Sequence, residues 1–173
     1  MTDIERQGMS AKKAASVLMT AGTTVKNAAL CAIAKALEDG EQEILEANEK
    51  DMALAKESGM RPALLDRLRL DSKRIRAMAD GVREVAALRD PVGRVLSMEK
   101  RPNGLLIGRK TVPLGVIAII YEARPNVTVD AAVLCLKAGN AVILRGGKED
   151  DGVARLERSE EHTSELQSRQ YLV

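Results

Sequence analysis

The sequence predicts an α/β protein, and three observations carry that reading. From about Ala11 to Leu88, apolar residues recur at helical spacing. Asn103-Gly104 then sits between two extended runs, a strong hairpin signal. Finally, two apolar runs, Val116–Tyr121 and Ala141–Leu144, flank a helical stretch, Val127–Ala138, with Gly139 as its stop. Strand, helix and strand in that order make a parallel crossover unit.

The helical part resolves into successive elements. Val25, Ala29, Leu30, Ile33 and Leu37 share one face, and Gly40 ends the pattern. Ile44, Leu45, Met52 and Ala55 mark a second helix ending before Gly59, and Leu64, Leu65 and Leu68 a short third. Asp71 or Ser72 can cap a fourth, with Ile75, Met78, Ala79, Val82 and Val85 as its apolar face. Asp90-Pro91 breaks the helical pattern. In "VLSMEKRPNGLLIGRKTV" the charges flanking the turn suit a ribbon projecting from a body. The continuous apolar runs after it are expected to be buried strands.

Composition excludes several functions. The chain has 173 residues, 45% of them hydrophobic and 30% charged, with a net charge of +2 and both signs interspersed. That balance argues against a nucleic-acid or membrane-surface protein. The core must be aliphatic, because Phe and Trp are absent and Tyr121 and Tyr171 are the only aromatics. Cys31 and Cys135 lie among small apolar residues, so both are expected to be structural thiols rather than a disulfide framework. His162 is the single histidine, which leaves neither a His-based triad nor a His/Cys metal cluster. The longest apolar run, near Val116–Tyr121, is too short to span a bilayer, and "MTDIERQGMSAKK" has no apolar signal region. A cytoplasmic setting is expected. "GRKT" at Gly108–Thr111 lacks the adjacent Gly-Lys of a phosphate loop. Arg67, Arg69, Lys73, Arg74 and Arg76 alternate with Leu68, Leu70 and Ile75, and are expected to form a solvated helix face without aromatic support for nucleic acid.

Function should sit on the crossover unit, since open α/β sheets bind ligands beyond the carboxyl ends of their strands. Two segments emerge there, "YEARPN" and "RGGKE". Gly146 and Gly147 permit close backbone approach, and Arg145 offers forked donors suited to phosphate. Asn126 can cap the helix and present an amide at its positive end. A plain turn with a solvated arginine stands beside that reading.

The stretch "VPLGVIAIIYEARPNVTVDAAVLCLKAGNAVILRGG" closely resembles the gamma-glutamyl phosphate reductases, or glutamate-5-semialdehyde dehydrogenases, of proline biosynthesis. "ILEANEKDMALAKESGM", "ALLDRLRLDSKRIRAMADGVREVAAL" and "DPVGRV" extend the resemblance, which covers roughly Ala11 to Gly147. The family belongs to the aldehyde dehydrogenase superfamily. The resemblance implies helices of a cofactor domain over 1–90, an oligomerisation hairpin over 91–112 and the start of a Rossmann-like NADP-binding sheet over 113–148. It implies NADPH-dependent reduction of L-glutamyl 5-phosphate to glutamate 5-semialdehyde and phosphate, through a cysteine thioester. Pro113-Leu114-Gly115-Val116 resembles the entry to the first Rossmann strand, and Gly139-Asn140 the approach to the second. Cofactor binding falls on Tyr121, Arg145, Gly146, Gly147 and Lys148, with Arg145 suited to the 2′-phosphate of NADPH. Asn126 corresponds to the oxyanion asparagine, and Arg124 is a substrate-binding candidate. Neither cysteine falls in the nucleophile motif, so this chain is expected to be inactive alone. Self-association of the full-length protein and a link to glutamate 5-kinase are the implied protein contacts; no metal is implied.

After Gly147 the resemblance fades, and residues 149–173 are expected to be non-native. "RSEEHTSELQ", from Arg158 to Gln167, resembles a codon-by-codon translation of a common sequencing adapter, AGA-TCG-GAA-GAG-CAC-ACG-TCT-GAA-CTC-CAG. A truncated enzyme is therefore expected. The competing functions are a non-catalytic cofactor-binding or oligomerisation module, and a different aldehyde or acyl-phosphate dehydrogenase. "YEARPNVT" argues against the latter.

Overall fold

The computed structural model describes residues 2–121 and 124–146. Five helices come first: α1 (Asp3–Leu18), α2 (Thr23–Asp39), α3 (Glu41–Glu57), α4 (Pro62–Leu68) and α5 (Ser72–Ala87). A hairpin, β1 (Val95–Lys100) and β2 (Leu106–Lys110), leads to β3 (Val116–Tyr121), α6 (Pro125–Lys137) and β4 (Ala141–Gly146).

Local sequence explains the ends of these elements. Thr2 caps α1 through a reciprocal pair: its Oγ1 accepts from the Glu5 amide at 3.3 Å, and Glu5 Oε2 accepts from the Thr2 amide at 2.8 Å. That Thr-x-x-Glu signal starts the helix well before the first apolar repeat near Ala11, where periodicity alone would place it. Asp71 caps α5 by accepting from the Arg74 amide at 2.8 Å. Gly139 closes α6 at φ 74°, with the Asn140 amide donating to the Cys135 carbonyl at 2.9 Å. A β-carbon there would lie 2.9 Å from Pro113 Cγ, so glycine answers both the dihedral and the close approach.

α2, α5 and α6 form the main core. Leu30, Ile33 and Leu37 interlock with Ile75, Met78, Ala79 and Val82, and with Val133 and Leu136. Ala11, Ala14 and Ala15 of α1 cover Ala141 and Ile143 of β4. β3 and β4 pair in parallel from Val116↔Ala141 to Tyr121↔Gly146. The continuous apolar run of β3 is not a fully buried strand, as its sequence suggests. From Val116 to Ile120 its residues alternate between exposed and half-buried, Ile120 being 77% exposed, and only Tyr121 is buried. Among the described residues β4 is its only strand partner, so its other edge has no strand beside it.

β1 and β2 pair antiparallel and are exposed along their whole length. The connection is a three-residue loop, with Arg101 donating to the Leu105 carbonyl at 2.8 Å and Gly104 at φ 86°. Pro102 has no amide proton to offer a strand partner, which moves the turn one residue earlier than Asn103-Gly104 alone.

Candidate functional site

Strand polarity sets the site. β3 and β4 run in parallel, so their carboxyl ends, Tyr121 and Gly146, lie side by side. The chain leaves β3 there and enters α6, which brings Arg124 and Asn126 to the same edge. Asn126 is not the cap. Arg124 holds that position without a side-chain bond, and Pro125 takes the first helical turn, where its missing amide costs nothing. Asn126 is left on the surface of that turn, exposed and without a side-chain partner among the described residues.

The Tyr121 hydroxyl accepts from Thr128 Oγ1 at 2.8 Å. Tyr121 is itself buried, so the first and last residues of "YEARPNVT" are tied together at the carboxyl end of β3. Arg145 pairs in register with Ile120 and is exposed. No described side chain bonds its guanidinium. Gly146 ends β4; Gly147 and Lys148 lie outside the described residues.

A cleft of about 480 Å³ opens between the α4–α5 corner and the start of α6. Leu70, Ala77 and Met78 supply apolar wall, while Arg67, Arg69, Arg124, Asn126 and Asp130 bring polar heads to it. The basic run is solvated as expected, Arg67, Arg69, Lys73 and Arg76 being exposed, and two of its members also line this cleft. Arg67 and Arg69 face Arg124 across the cleft because the chain turns between α4 and α5 and α5 packs on α6. Arg74, also at the cleft, is committed to structure: it donates to the Asp66 carbonyl at 2.6 Å and to the Arg69 carbonyl, pinning that corner. Arg76 points elsewhere, 3.8 Å from Glu41. The side chains of Arg67, Arg69, Arg124 and Asp130 have no hydrogen bond or ion pair among the described residues. Partial burial pushes the Asp130 carboxyl above its ordinary range.

Neither cysteine can act there. Cys135 is buried on the inner side of α6, and burial raises its thiol pKa, which disfavours the reactive thiolate. Cys31 is exposed on α2, against the expectation of a packed thiol, because it falls beside the buried stripe of Leu30, Ile33 and Ala34 rather than on it. No group of three or more metal-ligating side chains occurs among the described residues. No described helix is long and apolar enough to cross a membrane.

Two buried lysines escaped sequence reasoning. Lys26 Nζ lies 2.8 Å from Asp90 Oδ2 and donates to the Lys137 carbonyl at 3.1 Å. Lys137 Nζ donates to Asn27 Oδ1 at 2.7 Å and to the Ala86 carbonyl at 2.8 Å. Burial alone would raise the Asp90 carboxyl. Bonds from Lys26, Thr23 and the Val92 amide instead hold it at about 2. These contacts lock α2, α5 and α6 together behind the cleft. A lysine inside an otherwise apolar stripe, as at Lys137, was the available signal.

A helical body carrying a parallel crossover, with cationic groups at the carboxyl edge, places the protein in the α/β class with an aldehyde dehydrogenase-like fold. No family model matches the chain. Relatives do. The chain is 63% identical over 147 residues to gamma-glutamyl phosphate reductase of Moorella thermoacetica, a match covering 85% of this chain and 35% of that protein. It is 58% identical over 149 residues to the Carboxydothermus hydrogenoformans protein of the same name. The crystal structure of the Thermotoga maritima reductase superposes with a TM-score of 0.82 at 44% identity, covering 84% of this chain and 35% of that one. The Saccharomyces cerevisiae reductase gives 0.86 at 34% identity, covering 98% and 43%. Over most of its length the chain is thus similar to gamma-glutamyl phosphate reductases, and it spans about a third of the length of the curated relatives it matches.

Proposed function

We propose that the chain forms part of an enzyme that reduces L-glutamyl 5-phosphate to L-glutamate 5-semialdehyde and phosphate with NADPH, in proline biosynthesis. The observation that carries this is the free cationic edge at the carboxyl end of the β3–α6–β4 crossover, in a chain 63% identical to a protein of that name. NADPH supplies the hydride. Arg145 is exposed near the strand end, with no side-chain partner among the described residues, as a 2′-phosphate contact requires; Gly146 ends that strand, and Gly147 and Lys148, outside the described residues, are the further cofactor candidates. Tyr121 holds that edge from below through Thr128. Asn126 presents an amide donor to the reacting carbonyl, and Arg124 a cation to the substrate. The thioester belongs to residues outside those described, since Cys31 and Cys135 both lie away from the cleft. The exposed apolar residues of the hairpin, among them Leu96, Leu106 and Ile107, favour self-association. Supply of the labile acyl phosphate by glutamate 5-kinase, in the cytoplasm, fits the same reading.

A chimera tests it. Residues 1–146 would replace the matched third of the Moorella thermoacetica protein. We expect NADPH-dependent reductase activity, and in Arg145→Ala a loss of NADPH affinity of about ten- to a hundred-fold with NADH affinity nearly unchanged. A folded but inactive chimera would sink the reading; an unchanged NADPH-to-NADH ratio would remove Arg145 from cofactor selection.

A further inference from the structure

The cleft contains both signs of charge in unpaired form, and its spacing points to one kind of ligand. Asn126 and Asp130 are four residues apart on α6, so they share a face one turn apart, about 6 Å along the axis. An extended chain of four bonds spans about 5 Å. That is the separation between the side-chain carbonyl carbon of a glutamyl group and its α-nitrogen. Of the two carboxylates at the cleft, Asp66 is engaged by Arg74 at 3.4 Å, whereas Asp130 has no side-chain partner among the described residues. Of the guanidiniums, Arg74 is committed to carbonyls at the corner, whereas those of Arg67, Arg69 and Arg124 bond none of the described residues.

We infer that this cleft is an α-amino-acid pocket in which Asp130 receives the substrate's α-ammonium and Arg67 and Arg69 its α-carboxylate, while Asn126, one helical turn away, faces the carbonyl. The inference rests on the function proposed above and extends it to substrate selection. Leu70, Ala77 and Met78 give the methylene chain an apolar wall. An incoming ammonium offsets the desolvation that now disfavours the ionised Asp130, so binding the zwitterion restores the charge the carboxylate lacks a partner for. A simple dicarboxylate would meet the same arginines but leave Asp130 facing no cation. Asp130 is thus a specificity-determining residue, distinct from the cofactor edge at Arg145.

Calorimetric titration of the purified 173-residue chain with L-glutamate and with glutarate, which lacks only the ammonium, tests the assignment. We expect L-glutamate to bind about tenfold more tightly than glutarate. Asp130→Asn should abolish that preference by weakening L-glutamate alone, and Arg67→Ala/Arg69→Ala should weaken both ligands. Equal binding of the two ligands by the unmodified chain would overturn the role of Asp130 without using any variant, while leaving the arginine cleft and the proposed function standing. Asp130 equally loses that role if Asp130→Asn keeps the preference. Binding of neither ligand by chain that retains its helical circular dichroism would overturn both the pocket and the substrate reading above it.

Discussion

The two ends of α6 treat charge in opposite ways. At its C-terminal end Lys137 is 3% exposed, yet both it and neighbouring Lys26, 1% exposed, are fully engaged by Asp90, Asn27 and backbone carbonyls. Asn140 completes that end by accepting from the Gly115 amide at 2.9 Å. At the N-terminal end Arg124, Asn126 and Asp130 have no side-chain partners among the described residues. One end uses its polar groups to hold helices together. The other keeps them available beside a cleft. Saturated charge marks structure here, and unsaturated charge marks the site.

The largest effect is expected where saturated charge is broken. Asp90→Ala leaves the Lys26 ammonium buried with only a carbonyl, and should destabilise the chain by about 3–5 kcal/mol, read as a shift in the urea midpoint. A change below about 1 kcal/mol would mean that Lys26 reaches water and that this end is not closed. The same contact sets an acid limb. The folded Asp90 carboxyl titrates at about 2, below its ordinary 3.8, so its stabilisation is complete above about pH 4 and is lost as the pH falls toward 2. Asp90→Asn should flatten that limb.

Asp51 sharpens the contrast from within the body. It is 5% exposed, its Oδ2 has no partner, and burial raises its carboxyl to about 6. This is an unsaturated charge away from the cleft, so it should cost stability. The folded state holds its proton longer than the unfolded state, so stability should fall as the pH rises from about 4 to 6. Asp51→Asn should remove that fall and stabilise the chain at pH 7 by about 1–3 kcal/mol in thermal or urea unfolding. A destabilised variant would show that the ionised carboxylate has a partner after all.

The smallest effect on stability belongs to the free end. Arg67→Ala should change unfolding free energy by no more than about 0.5 kcal/mol while weakening dicarboxylate binding to the cleft. A loss as large as that from Asp90→Ala would mean that Arg67 braces the α4–α5 corner, as Arg74 does, and would erase the difference between the two ends.

Much of the architecture was legible because it is written locally. The α2 and α5 faces follow from residues three and four apart, and Leu30, Ile33, Leu37, Ile75, Met78, Ala79 and Val82 are all buried as their spacing predicts. Gly139 was readable as a helix stop, and the α1 cap at Thr2 and Glu5 could have been read from four residues. The site was only half legible. "YEARPN" and "RGG" stand out by their place after strands, but Asn126 sits two positions beyond the cap its residue type suggests, because Pro125 takes the first helical position and Arg124 the cap.

Within this protein, the sequence by itself determined which segments become helix, hairpin and crossover, because periodicity, caps and turn residues act over a few neighbours. It also carried the resemblance to the reductases, through a motif whose residues are adjacent. Only the tertiary structure decided which charges are engaged. Lys26 meets Asp90 and Lys137 across 64 and 111 residues, and without those partners a lysine belongs in water. Arg67 and Arg69 line one cleft with Arg124 and Asp130 because α5 packs against α6. Whether a charged side chain is solvated, locked or poised depends on what stands opposite it, and that is a property of packed surfaces rather than of neighbouring residues in the chain.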